Sequence, residues 1–259
     1  MIVRALLLAT LLAPLAGGCG STGPSFLAPA IELQVYAAAS LKRALAAVAP
    51  AYAARRPEVT LTVSTDSSAA LATKIEQGAP ADLLLSADTK NPQRLVDAGL
   101  ASGELVRFAG NRLVVIVPAM GRGSVEAPAD LGDPGVRVVA CADGVPLAAY
   151  TATWLEVVAL LPGYGTDFPA RYASNIVSRE QNASALVTKV MLGEGDAGVV
   201  YASDVSENAA VRVIPIPESE NVRATYGGVV VRSGAHAGAA AELLAWLAGP
   251  EGQAILARF

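Results

Sequence analysis

Short apolar runs of β-forming residues recur along the chain, with amphipathic segments between most of them. The runs are Glu32–Tyr36, Val59–Val63, Asp82–Leu85, Arg112–Val117, Val136–Ala140, Ala197–Tyr201, Val211–Ile214 and Gly228–Val231. Several are continuously apolar, as in Leu113-Val114-Val115-Ile116-Val117, the pattern of strands covered on both faces. After the first run, Leu41, Ala44, Leu45, Val48, Ala49 and Tyr52 repeat at helical spacing, with Ser40 as the predicted N-cap. A second helix is predicted over Ala69–Gln77, capped by Ser67 or Ser68 and closed by Gly78. A third starts at Pro146 and carries Trp154, Leu155, Val158 and Leu161 on one face. A fourth follows Asn182, with Leu186, Val187, Val190 and Met191 inward and Gly193 at its end. A last helical stretch, Ala239–Phe259, is interrupted near Gly249-Pro250. Strands alternating with helices predict an α/β fold with largely parallel sheets.

The first 18 residues stand apart. Arg4 supplies a short positive region, Ala5 to Ala16 an apolar one, and Gly17-Gly18 a small-residue junction. This predicts an export signal over residues 1–18 rather than a membrane span. The run Leu15-Ala16-Gly17-Gly18-Cys19 resembles a bacterial lipobox, although Ala16 stands where Leu is usual. The resemblance implies cleavage before Cys19 and a lipid on its thiol; the alternative is ordinary secretion with a cut near Cys19. Residues 19–30, rich in Ser, Gly and Pro, read as a flexible tether.

Composition narrows the function. The mean hydropathy of +0.44 is high, yet beyond the signal no run approaches the ~18–20 apolar residues of a spanning helix. The 259 residues carry 19 basic and 23 acidic side chains and no basic block, which removes nucleic-acid binding. Two cysteines, Cys19 and Cys141, and one histidine, His236, exclude a structural zinc site and a disulfide framework.

One feature repeats: a strand, a small polar residue, then a helix. It occurs at Ser40, at Ser67-Ser68, before Leu147 and at Asn182. Helix starts present free N–H groups and a positive dipole end, so each could face an anion, and in open α/β sheets ligands bind where strands feed helices. A serine cap by itself is only a cap, and Lys42 and Arg43 in a first turn can simply be solvated.

At these residues the sequence resembles the molybdate-binding proteins of bacterial ABC importers. The matching motifs are Ala37-Ala38-Ala39-Ser40-Leu41, Ser67-Ser68 with Leu71-Ala72, and Ile75-Glu76-Gln77-Gly78-Ala79-Pro80-Ala81-Asp82. Leu85-Ser86-Ala87-Asp88, Gly110-Asn111-Arg112-Leu113-Val114, Val145-Pro146 and Gly195-Asp196-Ala197-Gly198-Val199-Val200-Tyr201-Ala202-Ser203-Asp204 complete them. The resemblance implies a two-lobed periplasmic-binding-protein fold of type II, each lobe a mostly parallel sheet flanked by helices, with the ligand between the lobes. Lobe 1 would comprise residues 31–109 and 223–259 and lobe 2 residues 110–222, with crossings near Phe108–Asn111 and Val222–Tyr226.

It also implies a site. Ser40 and Ser68 would donate to the oxyanion from lobe 1; the backbone N–H groups of Leu147 and Asn182 and the hydroxyl of Tyr201 would donate from lobe 2. Molybdenum would enter only as the centre of that oxyanion, with no bare metal ion and no cofactor. Neutral donors alone suit a fully deprotonated dianion, whereas an anion bearing a proton needs an acceptor. Two departures from the family pattern touch the site: Leu147-Ala148 where Ala-Gly is usual, and Asn182 where Val is usual. The implied function is capture of molybdate, with tungstate alongside it, and delivery to an ABC permease by a monomer that meets the membrane only through its lipid anchor. Alternatives are a binding protein for another tetrahedral oxyanion such as sulfate, or a serine-dependent hydrolase. The hydrolase lacks a Gly-x-Ser-x-Gly elbow, and His236 lies in a glycine-rich turn.

Mass spectrometry of the mature protein is expected to find a lipid-modified Cys19 at the N-terminus. An unmodified N-terminus at another residue contradicts the anchor.

Overall fold

A computed structural model describes residues 30–120, 125–205 and 208–259. The signal, Cys19 and nearly all of the tether lie outside them. The strands are β1 (Ile31–Ala38), β2 (Val59–Asp66), β3 (Leu83–Ser86), β4 (Val106–Pro118), β5 (Val138–Cys141), β6 (Ile176–Glu180), β7 (Ala197–Tyr201), β8 (Val211–Pro215) and β9 (Arg223–Val230). The helices are α1 (Lys42–Arg55), α2 (Ser68–Glu76), α3 (Lys90–Asp97), α4 (Pro146–Val158), α5 (Phe168–Ser174), α6 (Ala183–Met191), α7 (Ala202–Val205), α8 (Ala237–Ala248) and α9 (Pro250–Leu256). The fold is mixed α/β, as the alternation predicts.

The sheet runs in the order β2-β1-β3-β9-β4-β7-β5-β6, with β8 added beside β4. Parallel pairing holds β1 to β2 and β3, and β5 to β6 and β7. The remaining pairs are antiparallel, because β9 runs against β3 and β4, and β4 against β7 and β8. Each half of the sheet therefore has the expected parallel centre but joins its neighbour through two long antiparallel strands. β4 pairs with β9 from Val106 to Arg112, then with β7 and β8 from Leu113 onward. The polar stretch Gly110-Asn111-Arg112, outside or at the edge of the predicted run, is thus strand throughout. Its backbone groups pair with β9 at Thr225, Ala224 and Arg223.

Four elements had no counterpart among the expected ones, the shortest being the single turn α7. β6 alternates half-buried and exposed positions along an edge, and α3 (KNPQRLVD) is highly charged, so neither carries a long apolar signal. α5 opens on Phe168-Pro169 and buries only Phe168 and Tyr172. One expected cap is corrected. Ser40 is not the N-cap of α1, because Ala39–Leu41 first form a 3₁₀ turn and Leu41 takes the cap position. Ser67 does occupy the N-cap of α2, but its side chain makes no capping bond. Asn182 is a true cap, with Oδ1 accepting from the Ala185 N–H at 3.0 Å. Gly78 and Gly193 close α2 and α6 at φ +86° and +72°, conformations that favour glycine.

Register positions the helix starts. Ala38 lies opposite Asp66 in the parallel β1–β2 ladder. Ser40 and Ser68, each two residues further, therefore leave the sheet side by side. In the other half Cys141 lies opposite Glu180, so the chain before Pro146 and the turn at Asn182 emerge at one level. β7 sits against β5 and β4, and its last residue, Tyr201, pairs with Leu113.

Gly198 lets α6 close on β7. A Cβ there would come within 2.6 Å of Leu186 Cδ2 and 2.9 Å of the Val139 carbonyl oxygen. Gly198→Ala is expected to destabilise the protein by about 1–3 kcal/mol through overpacking. Urea unfolding checks this, and an unchanged midpoint would show that the sheet yields without cost.

Candidate functional site

Ser40, Ser68, Leu147, Asn182 and Tyr201 all line one small cavity. The structure brings together every residue expected there, from both halves of the sheet. Ala38, Ala39, Asp66, Ser67 and Ala87 complete the first side, and Val145, Pro146 and Ala183 the second. No lysine or arginine is in the lining. Lys42 is exposed and the Arg43 guanidinium lies 5.9 Å from the Phe259 ring centroid.

Each hydroxyl has a defined environment. The buried Ser40 Oγ is 2.8 Å from Tyr226 Oη. Ser68 Oγ accepts the Ala87 N–H at 3.0 Å, which leaves its own hydrogen to donate. Tyr201 Oη is buried without a hydrogen-bond partner among the described residues. Such a group normally costs about 1–3 kcal/mol, and its residue lines the cavity, so a ligand there would relieve the cost. Its ring is packed edge-on between Tyr226 and Tyr150, at centroid distances of 5.7 and 6.2 Å. Burial first, then the neighbouring Tyr226 and Asp204, pushes the Tyr201 phenol well above its ordinary pKa. It therefore remains a donor throughout the neutral range.

Leu147 and Asn182 lie at helix starts. Pro146 opens α4 with no N–H to satisfy, and Leu147 follows with its side chain in the core. Asn182 caps α6 and its Nδ2 also reaches Asp66 Oδ1 at 3.5 Å, across the cavity.

Asp66 is the unexpected member. Burial works against its charge, but the Ser67 N–H at 2.8 Å and Lys74 Nζ at 3.1 Å outweigh this and hold its carboxyl below the usual value. Each of its oxygens thus already accepts a hydrogen bond from within the protein. Tyr226, Asn111, Ser203 and Tyr150 also surround the donors without having been assigned to them. Asn111 and Ser203 fall within the quoted motifs, and Tyr226 marks a crossing. What sequence lacks is the long-range pairing, between residues up to 186 positions apart, that joins them. His236, the histidine considered for catalysis, faces Asp82 at 3.5 Å and is not among the cavity residues. Among the described residues no group of three His, Cys, Asp or Glu side chains could hold a metal ion.

Behind Tyr201, Asp204 Oδ2 accepts the Tyr201 N–H at 3.2 Å. Burial pushes this carboxyl up to about 7 from an ordinary 3.8, and the hydrogen bond from Tyr201 opposes the shift only in part. Between those two values the unfolded chain releases a proton that the folded chain retains. Stability therefore falls as pH rises across the window. Asp204→Asn is expected to raise the melting temperature at a pH of about 8 and to change it little at about 4. Thermal unfolding at both values checks this; an equal shift at the two would exclude the titration.

Comparison with known proteins agrees with this geometry. The profile of the bacterial extracellular solute-binding proteins matches residues 33–259. The molybdate-binding protein ModA of Mycobacterium tuberculosis is 31% identical over 98% of this chain and 94% of its own. The solved substrate-binding domain of a putative molybdenum ABC transporter from Clostridium difficile is 28% identical, with a TM-score of 0.65 over 89% of this chain and 97% of that one. The sulfate-binding protein SubI of M. tuberculosis shares the fold, with a TM-score of 0.77 at 20% identity over 88% of this chain and 85% of that one. With two sheet halves enclosing a donor-lined cavity and a profile match that spans nearly all of the described chain, the protein belongs to the bacterial extracellular solute-binding family.

Proposed function

We propose that the protein captures molybdate outside the cytoplasmic membrane and delivers it to the permease of an ABC importer. The observation that carries the reading is one cavity lined by Ser40, Ser68, Leu147, Asn182 and Tyr201, with no cationic side chain. Hydroxyl and backbone donors satisfy a fully deprotonated tetrahedral dianion, each charge-assisted bond contributing about 1.5–3 kcal/mol. The ModA relative, 31% identical over nearly the whole chain, favours molybdate as that dianion. Tungstate, equal in charge and nearly equal in size, should bind as well. Sulfate is the second reading, favoured by the fold shared with SubI and by a donor set that suits any tetrahedral dianion.

The remaining assignments extend this reading. Residues 31–109 and 223–259 form one lobe and 110–222 the other, a division supported by the change of β4 partners after Arg112. The mature chain is a monomer exported by residues 1–18 and anchored at Cys19. It is a carrier rather than a hydrolase, since Ser40 is partnered by a phenol and Ser68 by a backbone N–H.

Calorimetry with molybdate, tungstate, sulfate and phosphate tests the proposal. Ser68→Ala and Tyr201→Phe should each weaken molybdate binding by roughly 10–100-fold. Ser86→Ala should not, because the Ser86 hydroxyl donates to Asp88 at 2.8 Å. Asn182→Val should retain binding while losing about 0.5–2 kcal/mol of stability with its cap. If Asn182→Val abolishes binding and the hydroxyl variants leave it unchanged, the donor assignment is wrong.

A further inference from the structure

The 2.8 Å contact between Ser40 Oγ and Tyr226 Oη could run in either direction. Its sense is set further back, on β4. The Arg112 N–H donates to Asn111 Oδ1 at 2.9 Å, which fixes the amide with Nδ2 turned the other way. Nδ2 then donates one hydrogen to Tyr226 Oη at 3.1 Å and the other to Ser203 Oγ at 2.8 Å. The Ser203 hydroxyl passes its own hydrogen to the Ser40 carbonyl oxygen at 3.2 Å. Tyr226, having accepted from Asn111, has a single hydrogen, and the acceptor beside it is Ser40 Oγ. Ser40 thus receives a hydrogen bond at its side chain and another at its carbonyl, and its own proton is left for the cavity it lines.

We propose that Asn111 is a positioning residue that commits Ser40, through Tyr226 and Ser203, to donating to the bound oxyanion. The inference rests on the oxyanion-binding reading above and adds a basis for selectivity. Ser68 is committed in the same sense by the Ala87 N–H. Asp66, the carboxylate in the lining, already accepts at one oxygen from Ser67 and at the other from Lys74, which lowers its pull on a ligand proton. A hydrogenphosphate ion brings a proton that needs an acceptor, and the relay takes up one of the two Ser40 Oγ lone pairs, halving what that hydroxyl can offer. Breaking the relay frees that lone pair, so molybdate should bind more weakly and hydrogenphosphate should be excluded less.

A double-mutant cycle separates this role from general support of the fold. Molybdate affinity is measured by calorimetry for the wild-type protein, Tyr226→Phe, Asn111→Leu, Ser40→Ala and the two doubles with Ser40→Ala. Each relay variant alone should lose about 10-fold. Each double should bind as Ser40→Ala does, because the relay acts through that hydroxyl. Hydrogenphosphate affinity, read by competition at mildly alkaline pH, should fall less than molybdate affinity in Tyr226→Phe. Losses that add fully in both doubles, or relay variants that bind molybdate as the wild type does, overturn the proposal. If Asn111→Leu fails to fold, the Tyr226→Phe arm decides alone. A wild-type protein that binds sulfate and not molybdate strikes the proposed ligand instead, and the same cycle is then read on sulfate.

Discussion

Backbone hydrogen bonds between parallel strands decide where each strand of the two sheet halves stops, and the cavity forms at those stops. Ala38 opposite Asp66 delivers Ser40 and Ser68 to the same level, and Cys141 opposite Glu180 does the same for the turns before Leu147 and at Asn182. A one-residue slip in either ladder would turn every side chain of a strand to the other face. The apolar alternation that buries Leu33 and Val35 resists such a slip, since both are fully buried. Donor placement is thus set by the same contacts that build the core.

The proposed anion site has no cation in its lining and must draw on partial charges, and it does so while tolerating Asp66. The carboxylate is neutralised by Lys74 and by the first N–H of its own turn, so it presents little free negative potential. Asp204, pushed up to about 7 by burial, likewise carries less charge behind Tyr201 than an ordinary aspartate would. Neutral hydroxyls offer a further benefit. Their geometry is set by packing and by second partners, so little side-chain freedom is lost when a ligand is enclosed.

Much of this was legible in the sequence because it is local. Strand runs such as Ala197–Tyr201, the Pro146 helix start, the Asn182 cap and the Gly78 and Gly193 stops each depend on neighbours within a few positions. The five candidate donors came from motif resemblance, and all five line the cavity. What was not legible is polar and long-range. Arg107 to Asn111 carry too few apolar residues to read as strand, yet they pair with β9, across one register shift, more than 100 positions away. Ser40 looked like a helix cap because strand–serine–helix is the usual capping order. The structure inserts a 3₁₀ turn and gives the hydroxyl to Tyr226 instead.

That exchange gives the β4–β9 pair a reason to carry polar side chains at Asn111 and Tyr226. Two strands that pass between the halves need a continuous ladder, which any residue supplies, and also a reason for inward polar side chains. Asn111 and Tyr226 supply it: one sits on each strand, and they bond to each other and to groups from both sides, Ser40 before β4 and Ser203 after it. An apolar pair at these positions would keep the ladder but leave the Ser40 and Ser203 hydroxyls to find other partners in a buried setting. The cost of unsatisfied hydroxyls there, about 1–3 kcal/mol each, would then bear on the geometry of the cavity as well as on stability. The connection between the halves and the orientation of a ligand donor are therefore one hydrogen-bonded unit, and a change to either must be felt by the other.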